Sequence, residues 1–142
     1  MCSYCGCRES VSIIGRFSEE HDIIVNAMGE VRRALAAATG DVIAARCAEL
    51  RTLLDPHTAS EERSLFAELR AEPEFTDVVD GLCAEHATLD AMLTRIAEGE
   101  HALFDTFERM LHAHIDKEEN GLFPAAIMAL DGERWNRAIA NA

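Results

Sequence analysis

Residues 57–66 read HTASEERSLF and residues 114–123 read HIDKEENGLF, so the pattern HxxxEExxLF occurs twice in the chain. A shorter phrase is doubled as well, a Glu-His pair with apolar residues three and seven positions after the histidine: Glu20-His21 with Ile24 and Met28, and Glu85-His86 with Leu89 and Leu93. The histidines therefore follow the order His, HxxxE, His, HxxxE, as two matching halves. This repeat predicts a metal site built by four helices.

Each of these histidines lies in a stripe of apolar residues spaced three and four positions apart, the pattern of a bundle helix. Pro56 removes one backbone donor and predicts a kink or a local break beside His57. Asn120-Gly121 and Pro124 are expected to loosen or kink the end of the last stripe. The four stripes predict helices at about residues 12–38, 41–71, 74–98 and, after the turn at Gly99, 103–122.

The predicted fold class is all-α, an up-and-down four-helix bundle. Residues 1–11 are predicted to form a Cys-rich N-terminal tail, and residues 12–142 one domain. A short C-terminal helix at about residues 133–140 is expected to cover one end of the bundle with Trp135 and Ile139.

Composition excludes several classes of partner. The 142 residues are 49% apolar, enough for one domain with its own core. A formal charge of −13 repels nucleic acid and anionic membranes. No apolar run approaches the roughly 20 residues that span a bilayer, and the first ten residues lack the pattern of a signal peptide. Together with the odd number of cysteines, this predicts a soluble, cytoplasmic protein.

The predicted turns fix the height of each histidine along its helix. The four lie between 13 and 18 residues from the turns that flank them. At about 1.5 Å rise per residue, short connections would put all four imidazoles within roughly one helical turn of a common layer.

The two glutamates of each HxxxEE pattern point in different directions on a helix. Glu61 and Glu118 stand four positions after a histidine and share its face. Glu62 and Glu119 stand five positions after it and are expected to be solvated, unless a kink rotates them. We therefore interpret Glu61 and Glu118 as the buried carboxylates.

Four histidines and two carboxylates are costly to bury unless something pairs with them, and two metal ions would satisfy all six. Two histidines per ion with both carboxylates bridging is the simplest arrangement. Mixed imidazole and carboxylate ligands suit iron best, with zinc or manganese as substitutes. The predicted metal ligands are His21, His57, Glu61, His86, His114 and Glu118.

This order of motifs, with EExxLFP at residues 118–124, resembles the hemerythrin family, specifically the bacterial hemerythrin-like HHE cation-binding domains, over about residues 12–130. The resemblance implies a non-haem di-iron centre, two iron ions joined by an oxo or hydroxo bridge. It also implies binding of O2 or a related small molecule such as NO or peroxide.

The sequence departs from the oxygen-carrying hemerythrins, which have HxxxH in the third helix and five histidines in all. Here Asp90 stands four positions after His86, and we consider it as a replacement ligand. Those proteins also place the last carboxylate five positions after the fourth-helix histidine, so Glu119 competes with Glu118. Cys83, one turn before His86, is a further candidate near the centre. Open positions on both metals would favour redox reactivity over reversible O2 carriage.

Several other residues carry two interpretations. Cys2, Cys5 and Cys7 form CxxCxC, which could hold zinc or an iron–sulfur cluster or act as a redox switch, or be a mobile tail with reactive thiols. His101 and His112 are expected on the surface. Six apolar side chains could line a ligand pocket or simply pack in the core: Phe17, Leu54, Leu89, Phe107, Met110 and Leu122.

Three functional hypotheses remain at this stage. The first is a di-iron protein that binds O2, NO or peroxide. The second is a di-iron redox enzyme for peroxide breakdown, NO reduction or iron oxidation, so whether the chain is an enzyme stays open. The third is an iron-sensing or redox-sensing regulator that uses the N-terminal cysteines and an unspecified protein partner.

Overall fold

The computed structural model describes the backbone of residues 7–142 and the side chains from Ser12 onward. Over this range the chain is all-helical. A 3₁₀ turn at His101–Leu103 precedes the fifth α-helix, and a π-helical segment at Glu118–Leu122 follows it. Within the described range, no helix is both long and apolar enough to cross a membrane. The α-helices are α1 (Cys7–Ala37), α2 (Gly40–Arg63), α3 (Leu65–Arg70), α4 (Thr76–Ala97), α5 (Phe104–Lys117), α6 (Phe123–Ala129) and α7 (Gly132–Asn141).

The long helices pack side by side around one interior. α1 contacts α2, α2 contacts α4, α4 contacts α5, and α5 contacts α1. The short helices α3 and α7 contact each other and the long helices beside them. The predicted all-helical class is confirmed, and the packing fits a helical bundle. The strict up-and-down order of four helices stays a prediction.

The first two predicted helices differ from the structure at their ends. α1 begins at Cys7, five residues before the predicted start of the domain. α2 continues through Pro56, where we predicted a kink or a break. The helix is interrupted instead at Ser64, whose φ and ψ are −111° and −97°. The Ser64 hydroxyl donates to the Ser60 carbonyl at 2.5 Å, a back-bond that competes with regular helical geometry.

The end of the fourth predicted helix is irregular, as its Asn-Gly and Pro residues indicated. The π-helical segment carries the chain from α5 into α6 without a break in helical structure. Pro124 lies in the first turn of α6, so its missing N–H removes no hydrogen bond between residues of α6 itself. Single π-helical turns of this kind occur often at functional sites.

Two apolar clusters fill the interior, and a polar layer separates them. In α1, Phe17 belongs to one cluster, Ile24 belongs to the other, and His21 lies between them. The other helices repeat this order, with Leu54, Leu89 and Leu111 in one cluster and Leu65, Leu82 and Leu122 in the other. Every histidine of the repeated motifs therefore lies between two dry regions of core.

α7 covers one end of the molecule, as predicted, but uses one of the two expected side chains. Trp135 is fully buried in the cluster that contains Phe17. Ile139 is 38% exposed, so its predicted role in covering the core was wrong. The Ala142 carbonyl instead accepts hydrogen bonds from Ser60 and Arg63, which attach the end of the chain to α2.

Candidate metal centre

The six side chains predicted as ligands converge in one buried layer, and none is more than 7% exposed. Glu61 Oε1 lies 3.3 Å from the Nε2 atom of His57 and 3.4 Å from that of His86. Glu118 Oε1 lies 3.4 Å from the Nε2 atom of His21 and 3.1 Å from that of His114. Each carboxylate therefore stands between histidines from two different helices.

The donor atoms fall into two adjoining groups, each with its atoms within 4.8 Å of one another. Glu61 belongs to both groups, and the His86 and His114 Nε2 atoms of the smaller group are 2.9 Å apart. The geometry therefore offers two neighbouring donor groups that could each hold a cation and that share a carboxylate. The larger group is His21, His57, Glu61 and Glu118, and the smaller is Glu61, His86 and His114.

The buried oxygen atoms of this layer lack the partners that buried charges need. Among the residues that the structure describes, both carboxylate oxygens of Glu61 and of Glu118 and the Nε2 atom of His21 make no hydrogen bond. Leaving buried polar groups unpaired costs roughly 1–3 kcal/mol each, and more for charged groups. Cations at the two positions would pair all these atoms, so the donor set fits iron, zinc or manganese.

The carboxylates hold protons on the imidazoles while no cation competes for them. Burial alone lowers the pKa of each of the four histidines, but hydrogen bonds and charges of the glutamates outweigh it and raise the pKa, that of His21 to about 10. Burial raises the pKa of both inner glutamates. The imidazoles that surround Glu61 outweigh this effect and keep its pKa well below the usual value, whereas burial and the charge of Glu61 raise the pKa of Glu118.

A second set of four glutamates holds the outer nitrogen of every histidine, and we call it the glutamate ring. Each member comes from a neighbouring helical element, so the four pairs connect α1 to α2, α2 to α4, α4 to α5, and the π-helical segment back to α1. The Nδ1–carboxylate pairs are Glu20 with His57 (2.8 Å), Glu62 with His86 (2.7 Å), Glu85 with His114 (2.8 Å) and Glu119 with His21 (2.6 Å).

The glutamate ring fixes how each imidazole is presented to the interior. A carboxylate accepts a hydrogen bond from Nδ1–H, which leaves the Nε2 lone pair free for a metal and makes it more basic. Three ring members are themselves held by donors. Arg16 donates to Glu20, Ser18 donates to Glu119, and Lys117 donates to Glu85. Lys117 is the single lysine of the sequence.

The contacts explain why HxxxEExxLF occurs twice. In the first copy, Glu61 points inward, Glu62 bonds His86, and the Phe66 ring stacks on the same His86 ring at 5.7 Å. In the second copy the corresponding glutamate and phenylalanine hold His21, with a stacking distance of 5.9 Å. Each copy therefore supplies its own ligands and also positions the histidine of a Glu-His pair.

The expectation that Glu62 is solvated was therefore wrong, whereas Glu119, which the sequence also suggested as a residue near the metals, bonds His21. Glu62 and Glu119 are 43% and 30% exposed at their side chains, yet both bond a buried imidazole. Glu20 and Glu85 were quoted as part of a repeated phrase but not recognised as positioning residues. The doubled Glu-His pair and the doubled Glu-Glu pair are the signals in the sequence that could have identified all four.

The remaining candidates do not belong to the donor groups of the inner layer. The Asp90 side chain is 59% exposed and pairs with Arg51, so the suggestion that Asp90 replaces a missing ligand is corrected. Cys83 lies beside Glu62, where burial and that carboxylate raise the pKa of its thiol to about 11. Neither residue belongs to the donor groups found in the described part of the chain. His112 is exposed and His101 partly so.

The cysteine motif of the N-terminus lies outside what the structure describes. Cys2 and Cys5 precede the described range. Cys7 is the first residue of α1, but its side chain is not described. The zinc, iron–sulfur and redox interpretations of CxxCxC stay predictions.

A cavity of about 10 Å³ adjoins the layer on the side of the Ile24 cluster, room for about one water-sized molecule. Leu54 and Leu89, two of the six apolar side chains considered above, line it. Of the other four, three are fully buried or nearly so and Met110 packs against the core. The remaining wall includes Ile24, Leu111, Ile115, Thr58 and the four histidines.

Comparison with known proteins gave one finding. A family model described as "Hemerythrin HHE cation binding domain" matches residues 12–126. This range includes all six side chains of the inner layer and the whole glutamate ring. Comparisons with curated proteins and with solved structures gave no match.

We predict that the glutamate ring contributes to metal affinity. Glu85→Gln keeps the size of the side chain but weakens the acceptor for His114 Nδ1–H, and should lower Zn²⁺ or Fe²⁺ affinity about 10–100-fold. Chelator competition measures this, and Glu49→Gln is the control because Glu49 pairs only with the surface Arg46 among the described contacts. Equal affinities for the two variants would contradict a role for the ring.

Metal binding should also release protons, because the metal-free imidazoles have raised pKa values and a metal must displace their protons. We expect Zn²⁺ affinity to fall from about pH 8 to about pH 6, by about tenfold per unit for each displaced proton. Calorimetry in buffers of different ionisation enthalpy counts the protons. Affinity that does not change over this interval would show that the histidines are not ligands.

Proposed function

We propose that this chain, which belongs to the family of hemerythrin HHE cation-binding domains, is a non-haem di-iron protein that binds O2 or a related small molecule, NO or peroxide. The proposed ligands are the six side chains of the inner layer. The observation that supports this most strongly is the pair of adjoining donor groups that share Glu61. A site for one ion would not need a second set of donors beside the first.

The smaller donor group suggests where an exogenous ligand would bind. It consists of two imidazoles and one carboxylate, from His86, His114 and Glu61. This is the ligand set of non-haem Fe(II) sites that keep coordination positions open for O2. The larger group, with two imidazoles and two carboxylates, has one protein donor more. We infer that ligand binding takes place on the side of His86 and His114.

The chain's own residues determine the surroundings of such a ligand. Apolar clusters above and below the layer exclude water, which strengthens electrostatic interactions inside it. The glutamate ring orients the imidazoles and restrains the metal positions between the helices. Iron bound here would supply electrons and open coordination positions, the chemistry that O2 and NO require.

We expect anaerobically Fe²⁺-loaded protein to change its visible absorption spectrum on addition of O2 or NO and to recover it when the gas is removed. The Zn²⁺-loaded protein is the control, because zinc has no redox chemistry and should give no change. Optical titration under controlled gas pressure measures the binding. Loss of the Fe²⁺ spectrum without recovery, accompanied by turnover of peroxide or NO, would indicate an enzyme instead. No response to either gas would contradict both the proposed binding of a small molecule and the enzymatic alternative.

A further inference from the structure

A surface pocket of about 320 Å³ lies between α2 and α4, directly outside the wall of the metal layer. Its lining shares four residues with the small interior cavity: Leu54, Thr58, His86 and Leu89. These side chains therefore have solvent on one side and the cavity beside the histidines on the other. His86 is also the most exposed of the four histidines, at 7%.

The two matching halves of the chain build the cavity wall from equivalent positions. Leu54 and Leu111 each stand three residues before a motif histidine, and Ile24 and Leu89 each stand three residues after the histidine of a Glu-His pair. These pairs are similar in size and all four residues are buried.

One pair breaks this equivalence. The residue directly after the motif histidine is Thr58 in the first half and Ile115 in the second. Ile115 is partly buried against the core, whereas Thr58 faces both the pocket and the cavity. The smaller side chain therefore lies in the half where the pocket reaches the cavity wall.

The charges at the mouth of the pocket bear on which molecules can pass. Asp55, Glu62 and Asp90 line it, and Arg51 pairs with both aspartates. Glu62 is held by His86. Three carboxylates against one guanidinium leave the mouth acidic, which disfavours small anions relative to neutral molecules.

We propose that the pocket between α2 and α4 is the entrance for small neutral ligands, and that Leu54, Thr58 and Leu89 form its gate. The size of the side chain at position 58 determines how readily the gate passes a ligand. This inference rests on the proposed binding of O2 or NO at the layer. It adds a route and assigns roles to residues that need not contact the metals.

The first test changes Thr58 in the protein loaded with Fe²⁺. Thr58→Ile introduces the residue of the other half and should slow both association and dissociation of NO about tenfold, with unchanged affinity. Thr58→Val removes the hydroxyl at nearly constant size and should leave both rates within about twofold. Stopped-flow mixing and gas displacement measure the two rates. A substitution that acts only on the gate changes the association and dissociation rates by the same factor and leaves the affinity unchanged. A substitution that disturbs the iron centre changes the affinity.

The second test uses the equivalent leucines. Leu54→Ala should speed NO association by about tenfold, since Leu54 separates the pocket from the cavity. Leu111→Ala removes a similarly buried leucine from the same cavity but not from the pocket, and should change the rate far less. Equal rates in Leu54→Ala and Leu111→Ala, or an unaffected Thr58→Ile, would overturn the gate. Failure of the unaltered protein to bind NO would overturn the proposed function itself.

Discussion

The structure depends on two buried carboxylates that have no hydrogen-bond partner within the described chain. Glu61 and Glu118 lie between two apolar clusters, where an unpaired charge is most costly. Four imidazoles surround them, and these in turn are held by the glutamate ring. Each set of polar groups is therefore held by the next one outward, and we propose that cations pair with the innermost set.

Much of the inner layer could be predicted from spacing alone. A histidine in an apolar stripe must face the core, and a glutamate four positions later must face the same way. Counting residues from the turns set the histidines at similar heights. The doubled Glu-His and Glu-Glu pairs single out the four glutamates of the ring, but spacing does not say which histidine each one bonds, because each bond joins two helices. The contacts between two helices depend on how each helix is rotated about its axis relative to the other. Residue spacing within one helix does not give this rotation.

The local irregularities illustrate the same limit. Pro56 has no backbone N–H to donate, yet α2 continues through it. The interruption occurs instead at Ser64, whose hydroxyl bonds the Ser60 carbonyl. Asp90 has the right spacing from His86 to share its face, but Arg51 on α2 offers it a partner nearer to solvent. For Asp90 a contact between two helices, which is absent from the local pattern, determined the outcome.

The two halves of the chain are similar but not identical, and their differences distinguish the two proposed metal positions. Equivalent motifs would provide two equivalent metal positions, but the donor groups are unequal and Thr58 replaces the isoleucine of the other half. Both differences fall on the side of His86. A protein of this kind would keep one metal position enclosed and expose the other to small molecules.

A crystal structure of the Fe²⁺-loaded protein, with data collected at the iron absorption edge, would show whether the six inner side chains hold two metal ions. We predict two anomalous peaks in the buried layer, one beside His21 and His57 and one beside His86 and His114, with Glu61 contacting both. A single peak, or peaks outside this layer, would contradict this prediction.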